Sequence, residues 1–195
     1  MTGSIILPWV RLRKVDVRSE VLSKHAVRLY FDYGKLYTLF STLSANRWPS
    51  VTPKPGHFVR LSESPLMEWH GFACIPVPNQ KGYSLIVSKA GDWTNDKIVN
   101  PRTKLWVRGV PCYGVLRITP LFRRVVFVAT GSGIGPCAPC IFEQRRPIKL
   151  LWTSPNVRET FGDEFVDRIL EASPGAVVYG KCCALLRSLL LLMFL

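Results

Sequence analysis

Acidic side chains are scarce in this 195-residue chain, which has 13 Asp and Glu residues against 26 Lys and Arg residues and a formal net charge of +13. Such an excess of positive charge favours anionic partners, among them phosphorylated cofactors, acidic lipid headgroups, acidic proteins and nucleic acid. The chain also lacks a long block of Lys and Arg, because its basic residues are scattered. A nucleic-acid-binding arm is therefore disfavoured, and we expect no nucleic-acid partner.

Histidine is rare as well, since the chain has only His25, His57 and His70. These positions support no Ser/His/Asp or Cys/His arrangement of the kind that activates a nucleophile. Cys137 and Cys140 have the spacing of a redox motif or of half a zinc site, but no second pair with ligand spacing follows. We therefore expect no metal site, and expect both thiols to pack as small side chains in a helical turn.

Neither a secretory signal peptide nor a membrane-spanning segment is evident. The apolar segment at residues 180–195 falls short of the roughly 20 residues that span a bilayer, and Arg187 interrupts it. Six cysteines without a signal peptide indicate a reducing compartment and free thiols. We expect a protein of the cytoplasm or of the cytosolic face of a membrane, not a secreted one.

A glycine-rich turn follows the apolar run at residues 125–128, which predicts a strand buried on both faces. The glycines let the backbone turn sharply and approach a ligand closely, and the final proline suits the first turn of a helix. A strand, a glycine turn and a helix N-terminus together favour an anion, usually a pyrophosphate. The alternative is a tight strand-to-helix connection without a ligand. The residues of the turn are Thr130, Gly131, Ser132, Gly133, Ile134, Gly135 and Pro136.

Short segments of alternating polarity precede this turn, each bounded by Pro, Gly or Asn, and they predict strands. Their number and spacing indicate an antiparallel barrel or sandwich. After Arg123 the pattern changes to a strand, a helix, a strand, a helix and a final strand, which predicts a parallel α/β unit. The predicted strands before Arg123 are residues 9–17, 26–31, 57–61, 69–77, 83–88 and 104–108. The predicted elements after it are residues 125–128, 136–144, 149–153, 163–172 and 176–179.

Residues 34–50 and 180–195 do not fit this organisation. Both begin with Gly-Lys directly after a tyrosine, and Gly-Lys codons can contain a common intron donor. Removing the first segment would join Tyr33 directly to Val51, a strand leading into a turn. We hypothesise two retained introns or mispredicted exon ends; the alternative is a genuine surface loop and a hydrophobic terminal helix. Sequencing of spliced transcripts across Tyr33 and Val51 tests this, since messages that uniformly keep the insert would contradict it.

Four segments resemble the ferredoxin–NADP reductase superfamily, in that family's order. The glycine turn resembles its pyridine-nucleotide loop, which typically reads Gly-Thr-Gly-Ile-Ala-Pro. Residues 70–73 (HGFA) resemble the His-Pro-Phe-Thr motif of ferric reductases and NADPH oxidases. Residues 88–94 (SKAGDWT) resemble the Gly-Asp-Trp-Thr segment of the same group, and residues 110–114 (VPCYG) resemble the Gly-Pro-Tyr-Gly turn that closes the barrel. The resemblance implies flavin on an antiparallel β-barrel and nicotinamide on a parallel α/β unit.

The family motifs, carried over by position, predict the cofactor-binding residues. Phe72 would stack on the flavin ring and His70 would lie near its polar edge, whereas Ala73 replaces the family's hydroxyl. The start of the helix near Thr94 would hold the FAD pyrophosphate; a helix cap without a ligand is the alternative. The predicted FAD-binding residues are His70, Gly71, Phe72, Ala73, Lys89, Gly91, Asp92, Trp93 and Thr94. The predicted NAD(P)-binding residues are the seven of the glycine turn together with Ser154 and Arg158.

Longer stretches resemble one branch more closely, the C-terminal reductase-like region of fungal multidomain membrane proteins that carry an adenylate-forming domain. That resemblance makes an adenylate-forming or membrane domain a possible partner. In that branch the chain continues beyond Tyr179, so the α/β unit here is expected to be truncated. The organisation predicted is thus an α+β chain with a flavin-binding barrel at residues 1–122, interrupted at 34–50, a partial NAD(P)-binding domain at 123–179 and an apolar tail at 180–195.

The end of the second strand of the α/β unit bears on the choice of nicotinamide. Folds that prefer NAD place an acidic residue there to bind the ribose hydroxyls. Residues 151–158 contain none, whereas Ser154 and Arg158 could receive a 2′-phosphate, so NADPH is favoured over NADH. The leading hypothesis is an FAD- and NAD(P)H-dependent electron-transfer module. The alternatives are a degenerate reductase-like domain with a structural or interaction role, and a basic protein held at a membrane surface.

Overall fold

The computed structural model describes residue 9 and residues 12–32, 53–77 and 82–180. The predicted insert at 34–50, and the predicted tail apart from Gly180, lie outside these residues, so the splicing hypothesis stays a prediction. Two short segments, Val115–Leu121 and Gly131–Gly133, form 3₁₀ helices. The strands are β1 Arg13–Asp16, β2 Arg18–Ser23, β3 Ala26–Asp32, β4 His57–Ser62, β5 His70–Ala73, β6 Ile75–Pro76, β7 Gly82–Ser88, β8 Lys104–Tyr113, β9 Val125–Thr130, β10 Ile148–Thr153 and β11 Val177–Tyr179. The α-helices are α1 Asp92–Val99, α2 Ile134–Glu143, α3 Val157–Phe161 and α4 Asp163–Ala172.

The first half consists of two four-stranded antiparallel sheets, with strand orders β1-β8-β4-β5 and β2-β3-β7-β6. Alternating side chains such as Val59 and Leu61 of β4 and Leu105 and Val107 of β8 point inward to one shared core. The predicted closed barrel is not formed, because no strand pairing among the described residues joins the two sheets. The sheets are held together by the side chains of the core instead of by a continuous hydrogen-bonded ladder.

The second half is a three-stranded parallel sheet of order β11-β10-β9. Phe127 and Trp152 lie on one face, in the same apolar cluster as residues of α2, α3 and α4. The prediction that the first strand is buried on both faces is wrong, since Val126 and Val128 on its other face remain 47% and 43% exposed. The described helices cover only one side of this sheet.

The two halves contact each other through α3, which packs against β2 and whose Thr160 carbonyl accepts a hydrogen bond from the Ser23 hydroxyl at 3.1 Å, and through α2. This helix packs against β5 and β6, and Ile75 and Ile86 of the antiparallel half join the apolar cluster of the α/β half. The predicted boundary near residue 122 stays a prediction. Within the described residues, no helix is long and apolar enough to cross a bilayer.

Candidate cofactor site

Strand β5 and the first turn of α1 bring three aromatic rings together. Phe72 pairs with Val59 of β4 in the strand register, and its ring borders the shared core. The Trp93 ring of α1 stacks on His70, with centroids 4.2 Å apart and an interplanar angle of 26°. It also stacks on Phe72, with centroids 5.8 Å apart and an angle of 23°. The structure therefore unites the predicted His70, Phe72 and Trp93 in one partly exposed group.

The other predicted residues of β5 belong to its opposite face, because side chains alternate along a strand. A Cβ at Gly71 would meet the Phe58 ring at 3.4 Å. Ala73 lies opposite Phe58 in the register and offers no hydroxyl. His70 has a charged neighbour, with its Nε2 3.3 Å from an Oε1 of the exposed Glu68.

Gly91 is the N-cap residue of helix α1 and provides no side-chain hydrogen bond to it. Thr94 supplies the cap from inside the helix, since its hydroxyl accepts hydrogen bonds from the Ala90 and Gly91 amides at 2.8 and 3.0 Å. It donates in turn to the Gly91 carbonyl at 2.9 Å. The Thr94 hydroxyl is thus committed to the helix. What remains for an anion is the group of first-turn amides, which have no intrahelical partner.

The charges at this helix start oppose each other. Lys89 and Asp92 are both exposed beside the N-terminus. The Lys89 ammonium would attract a phosphate, whereas the Asp92 carboxylate already interacts favourably with the helix dipole. Space is available, because a Cβ at Gly91 would meet nothing within 4 Å.

Lys97 anchors the other end of α1 and holds Trp93 in place. Its ammonium is buried and contacts the carboxylates of Glu63, beyond the end of β4, and Asp96. The same ammonium lies 5.1 Å from the centre of the Trp93 ring. Its hydrogen bonds lower the pKa of the Glu63 carboxyl below its usual value and that of Asp96 to about 2. Arg102 extends the network by contacting both carboxylates.

The glycine turn presents its backbone to open space. Gly131 has a left-handed φ of +50°, and a Cβ at Gly131, Gly133 or Gly135 would meet nothing within 4 Å. The indole N–H of the buried Trp152 donates to the Gly131 carbonyl at 3.0 Å and so fixes the start of the turn. Of the remaining predicted residues of the turn, Thr130, Ser132 and Pro136 are exposed and Ile134 is buried in the core.

The two residues predicted to select NADPH are placed differently. Ser154 is buried, and its hydroxyl contacts the Pro155 carbonyl at 3.4 Å. Arg158 is half-exposed and donates to Asp167 at 2.7 Å and to Asp163 at 2.9 Å, which raises its pKa. A phosphate would have to replace these carboxylates, an exchange that exposed ion pairs permit.

The cysteines of α2 are packed inside the protein. Burial raises the pKa of the Cys137 thiol to about 11, and burial also raises that of Cys140. Both thiols are therefore protonated at neutral pH and are poor nucleophiles. Among the described residues, no group of three or more His, Cys, Asp or Glu side chains is placed to hold a metal ion.

Sequence reasoning missed two residues that organise the site, Lys97 and Trp152. A lysine in an amphipathic helix normally indicates a solvated face, so nothing in the sequence marked Lys97 as buried. Trp152 offered a weak signal, because a buried tryptophan requires a partner for its N–H and a turn backbone is a ready acceptor.

Residues 115–181 match the model of a protein family described as adenylate-forming reductase 03009, C-terminal domain. Over 179 residues, 92% of this chain, the sequence is 63% identical to adenylate-forming reductase 03009 of Coprinopsis cinerea. It is 60% identical over 178 residues, 91% of this chain, to adenylate-forming reductase 06235 of the same fungus. The chain spans only 16% of the length of each of these relatives.

Solved structures show the same fold at low sequence identity. A ferredoxin NADP⁺ reductase from Neisseria gonorrhoeae with bound FAD and NADP matches 91% of this chain and 76% of its own, with a TM-score of 0.62 and 15% identity. A flavohemoglobin from Malassezia yamatoensis with bound FAD and heme matches 86% of this chain and 44% of its own, with a TM-score of 0.63 and 16% identity. The predicted resemblance is confirmed: residues 115–181 match the C-terminal domain of the adenylate-forming reductases, the chain is similar to these fungal proteins over most of its length, and its fold is that of the ferredoxin–NADP⁺ reductases.

Proposed function

We propose that this chain is an FAD- and NAD(P)H-binding electron-transfer module that passes hydride from a nicotinamide to a flavin. One observation carries the proposal. Helix α2, which follows the glycine turn, packs against β5, the strand that bears Phe72. The predicted nucleotide-binding turn and the predicted flavin-stacking residue therefore belong to neighbouring elements, as hydride transfer between two bound rings requires.

The described residues fit a flavin nucleotide in part. The partly exposed rings of Phe72 and Trp93 would provide an apolar surface for the isoalloxazine, and the free amides at the start of α1, with Lys89, would hold the pyrophosphate. A bound flavin would accept the hydride and release electrons to an acceptor. The protein's part is to position the rings and to exclude water around them.

The nicotinamide nucleotide would place its pyrophosphate against the amides of the glycine turn, where no side chain obstructs approach. We propose NADPH as the preferred form, with Arg158 releasing its carboxylate partners to contact a 2′-phosphate. The reductase from Neisseria gonorrhoeae, which shares the fold, has NADP bound.

Flavin titration of the purified chain tests the main proposal. The protein should become yellow on addition of FAD, and Phe72→Ala should weaken FAD binding about tenfold through the loss of ring stacking. Phe58→Ala is the matched control, because Phe58 lies on the neighbouring strand with its ring toward the opposite face. Equal FAD affinity of Phe72→Ala and Phe58→Ala would remove Phe72 from the site.

A second candidate function, a structural or interaction module without catalysis, is favoured by two observations. Ala73 supplies no hydroxyl, and the Thr94 hydroxyl is occupied by the cap of α1. A folded protein that takes up no FAD over a wide concentration range would establish this alternative and refute the electron-transfer proposal.

Cofactor preference has a separate test. Arg158→Ala should weaken NADPH binding several-fold while leaving NADH binding unchanged, because only NADPH carries the 2′-phosphate. The paired variant Asp163→Asn with Asp167→Asn should strengthen NADPH binding, since it frees the Arg158 guanidinium. Equal effects on the two nucleotides would refute the role of Arg158.

The longer relatives suggest the wider setting. Since this chain corresponds to 16% of their length, we propose that the module works beside an adenylate-forming domain, on the cytosolic side of the cell. Co-purification of the chain with such a domain tests the pairing.

A further inference from the structure

The turn between β4 and β5, here named the tip loop (residues 63–69), exposes two large apolar side chains at its end. Leu66 is 90% exposed and Met67 is 64% exposed. The loop is nevertheless ordered by its own hydrogen bonds, from the Met67 amide to the Ser64 carbonyl at 3.1 Å and from the Trp69 indole to the Pro65 carbonyl at 3.3 Å. The structure thus holds Leu66 and Met67 out into solvent.

A pocket of about 250 Å³ adjoins the base of the tip loop and is lined by Lys14, Arg102, Lys104 and Glu63. These four residues are named together as the basic pocket. Its carboxylate is already engaged, since Glu63 contacts both Arg102 and the buried Lys97. Lys104 lies 3.8 Å from the Asp16 carboxylate and Arg102 lies 3.4 Å from that of Asp96, ion pairs exposed enough for a phosphate to replace. Three cationic side chains line a space large enough for a phosphate group.

A tryptophan ends the tip loop. The Cζ atom of the Arg108 guanidinium lies 4.7 Å from the ring centroid of Trp69, at the end of the tip loop. Trp69 also packs edge-on against Trp9, with ring centroids 6.3 Å apart. The amphipathic indole is the side chain that proteins place at the level of lipid headgroups. The tip loop thus carries exposed apolar side chains and a partly exposed tryptophan, and its first residue, Glu63, lines the basic pocket.

We propose that the tip loop and the basic pocket form a docking surface for an anionic phospholipid bilayer. Leu66 and Met67 enter the boundary between headgroups and acyl chains, Trp69 lies at headgroup level, and Lys14, Arg102 and Lys104 contact lipid phosphates. A bilayer suits this surface because it offers an apolar phase and phosphates side by side, and because a protruding turn needs no complementary cavity in a fluid phase. The net charge of +13 adds long-range attraction. This inference goes beyond the proposed function and does not depend on it.

Vesicle sedimentation with the full chain tests the inference. The chain should bind phosphatidylcholine vesicles that contain about one third phosphatidylserine and should bind pure phosphatidylcholine vesicles weakly. Leu66→Ser with Met67→Ser should weaken binding to the anionic vesicles by about tenfold or more, since the apolar insertion is lost. Lys14→Gln with Lys104→Gln should weaken it by about tenfold and reduce its dependence on salt.

Matched controls come from surfaces away from the tip loop. Leu121→Ser removes a leucine that is 82% exposed on the 3₁₀ helix, and Arg123→Gln removes an exposed charge; neither should change vesicle binding. Acyl chains brominated near the headgroup should quench the fluorescence of the wild type more than that of Trp69→Phe. Circular dichroism of each variant establishes that it is folded before binding is compared.

Three outcomes would overturn the inference. The first is vesicle binding by the Leu66→Ser, Met67→Ser variant equal to that of the Leu121→Ser control. The second is saturable binding of inorganic phosphate that depends on Lys14 and Lys104 without any vesicle binding, which would make the pocket a site for free phosphate. The third is a folded wild-type chain that binds no anionic vesicle, which would leave a protein partner as the occupant of this surface.

Discussion

The two halves of this protein bury their apolar residues in different ways. In the antiparallel half, both sheets direct side chains such as Leu61 and Leu85 into one core that excludes solvent completely at these positions. In the α/β half, the described helices cover one face of the sheet, while Val126, Val128 and Val177 on the other face are between 43% and 47% exposed. The first half is enclosed by its own strands, whereas in the second the outer strands β9 and β11 leave apolar side chains partly exposed on a face where only Leu151 and Thr153 of the central strand are buried.

The difference follows from the kinds of sheet involved. An antiparallel sheet is stable with one wet face, but a parallel sheet normally has cover on both faces. The α/β half compensates by attaching α2 to the antiparallel half, where Ile75 and Ile86 extend its core. We infer that the second half depends on the first for stability more than the first depends on the second.

Among the substitutions that test this comparison, Trp152→Ala should lower the free energy of unfolding most. The side chain is fully buried, packs against Phe161 with ring centroids 5.3 Å apart and holds the Gly131 carbonyl. Its loss should lower the free energy of unfolding by about 3–5 kcal/mol and loosen the glycine turn. Urea denaturation measures the first effect and amide exchange at the turn measures the second. The partly exposed Trp106 is the control. An equal loss of unfolding free energy in Trp106→Ala would contradict the stabilising role given to the buried Trp152.

Ile75→Ala should have the next largest effect on the free energy of unfolding. It tests directly whether the α/β half depends on the antiparallel half for its stability. Ile75 lies in the antiparallel half, yet it belongs to the core of the α/β half and is fully buried. Its truncation should cost about 2–4 kcal/mol and should separate the thermal unfolding of the two halves into two transitions. Ile118→Ala, at a residue that is 47% exposed, is the control. A single undivided transition in Ile75→Ala would contradict the proposed dependence.

Lys97→Met should change how the antiparallel half responds to acid. The hydrogen bonds from Lys97 lower the pKa of Glu63 from its ordinary 4.5 and that of Asp96 from 3.8 to about 2. Depressed carboxyl pKa values contribute stability above the unfolded pKa that is lost as the pH falls through the folded one. The wild type should therefore lose stability between about pH 4.5 and about pH 2, and Lys97→Met should lose less in that window.

Urea midpoints across that range measure the difference between the two proteins. Lys89→Met is the control, because Lys89 is exposed beside the same helix. Parallel acid profiles for Lys97→Met and the wild type would show that the buried ammonium has no part in the stability of this half.

Val126→Thr with Val128→Thr should have the smallest effect. Since both side chains are nearly half-exposed on the uncovered face of the sheet, replacing them should change the free energy of unfolding by less than about 1 kcal/mol. The matched change Val59→Thr in the buried core of the antiparallel half should cost more. Equal costs in urea denaturation would mean that the exposed face of the α/β half is covered in solution.

Much of the secondary structure follows from local patterns. The predicted helix at 163–172 coincides with α4, and the predicted strands at 26–31, 57–61 and 149–153 differ from β3, β4 and β10 by one residue at one end. β8 extends past its predicted end at 108, and β2 was not predicted. The length of these two strands is decided by pairing with neighbouring strands, and local sequence patterns do not encode that pairing.

The sequence predicted which segments make up the candidate site, but not the contacts between their side chains. The glycine turn was identified from its residue types after a strand, and residues 70–73 were identified through their resemblance to the His-Pro-Phe-Thr motif. The stacking of Trp93 on His70 and Phe72, by contrast, depends on how α1 packs against β5, and the pairing of Arg158 with two carboxylates depends on how α4 folds back beside it. Neither contact leaves a local signature.

The sequence by itself determined most of the strands and helices, the glycine turn and the excess of positive charge, because backbone preference, side-chain alternation and charge are properties of neighbouring residues. Tertiary structure alone decided that the antiparallel sheets remain separate, that Lys97 is buried and that Val126, Val128 and Val177 on the outer strands of the parallel sheet stay partly exposed. Those outcomes depend on which distant segments exclude water from one another, and solvent exclusion between segments is set only when the whole chain has packed.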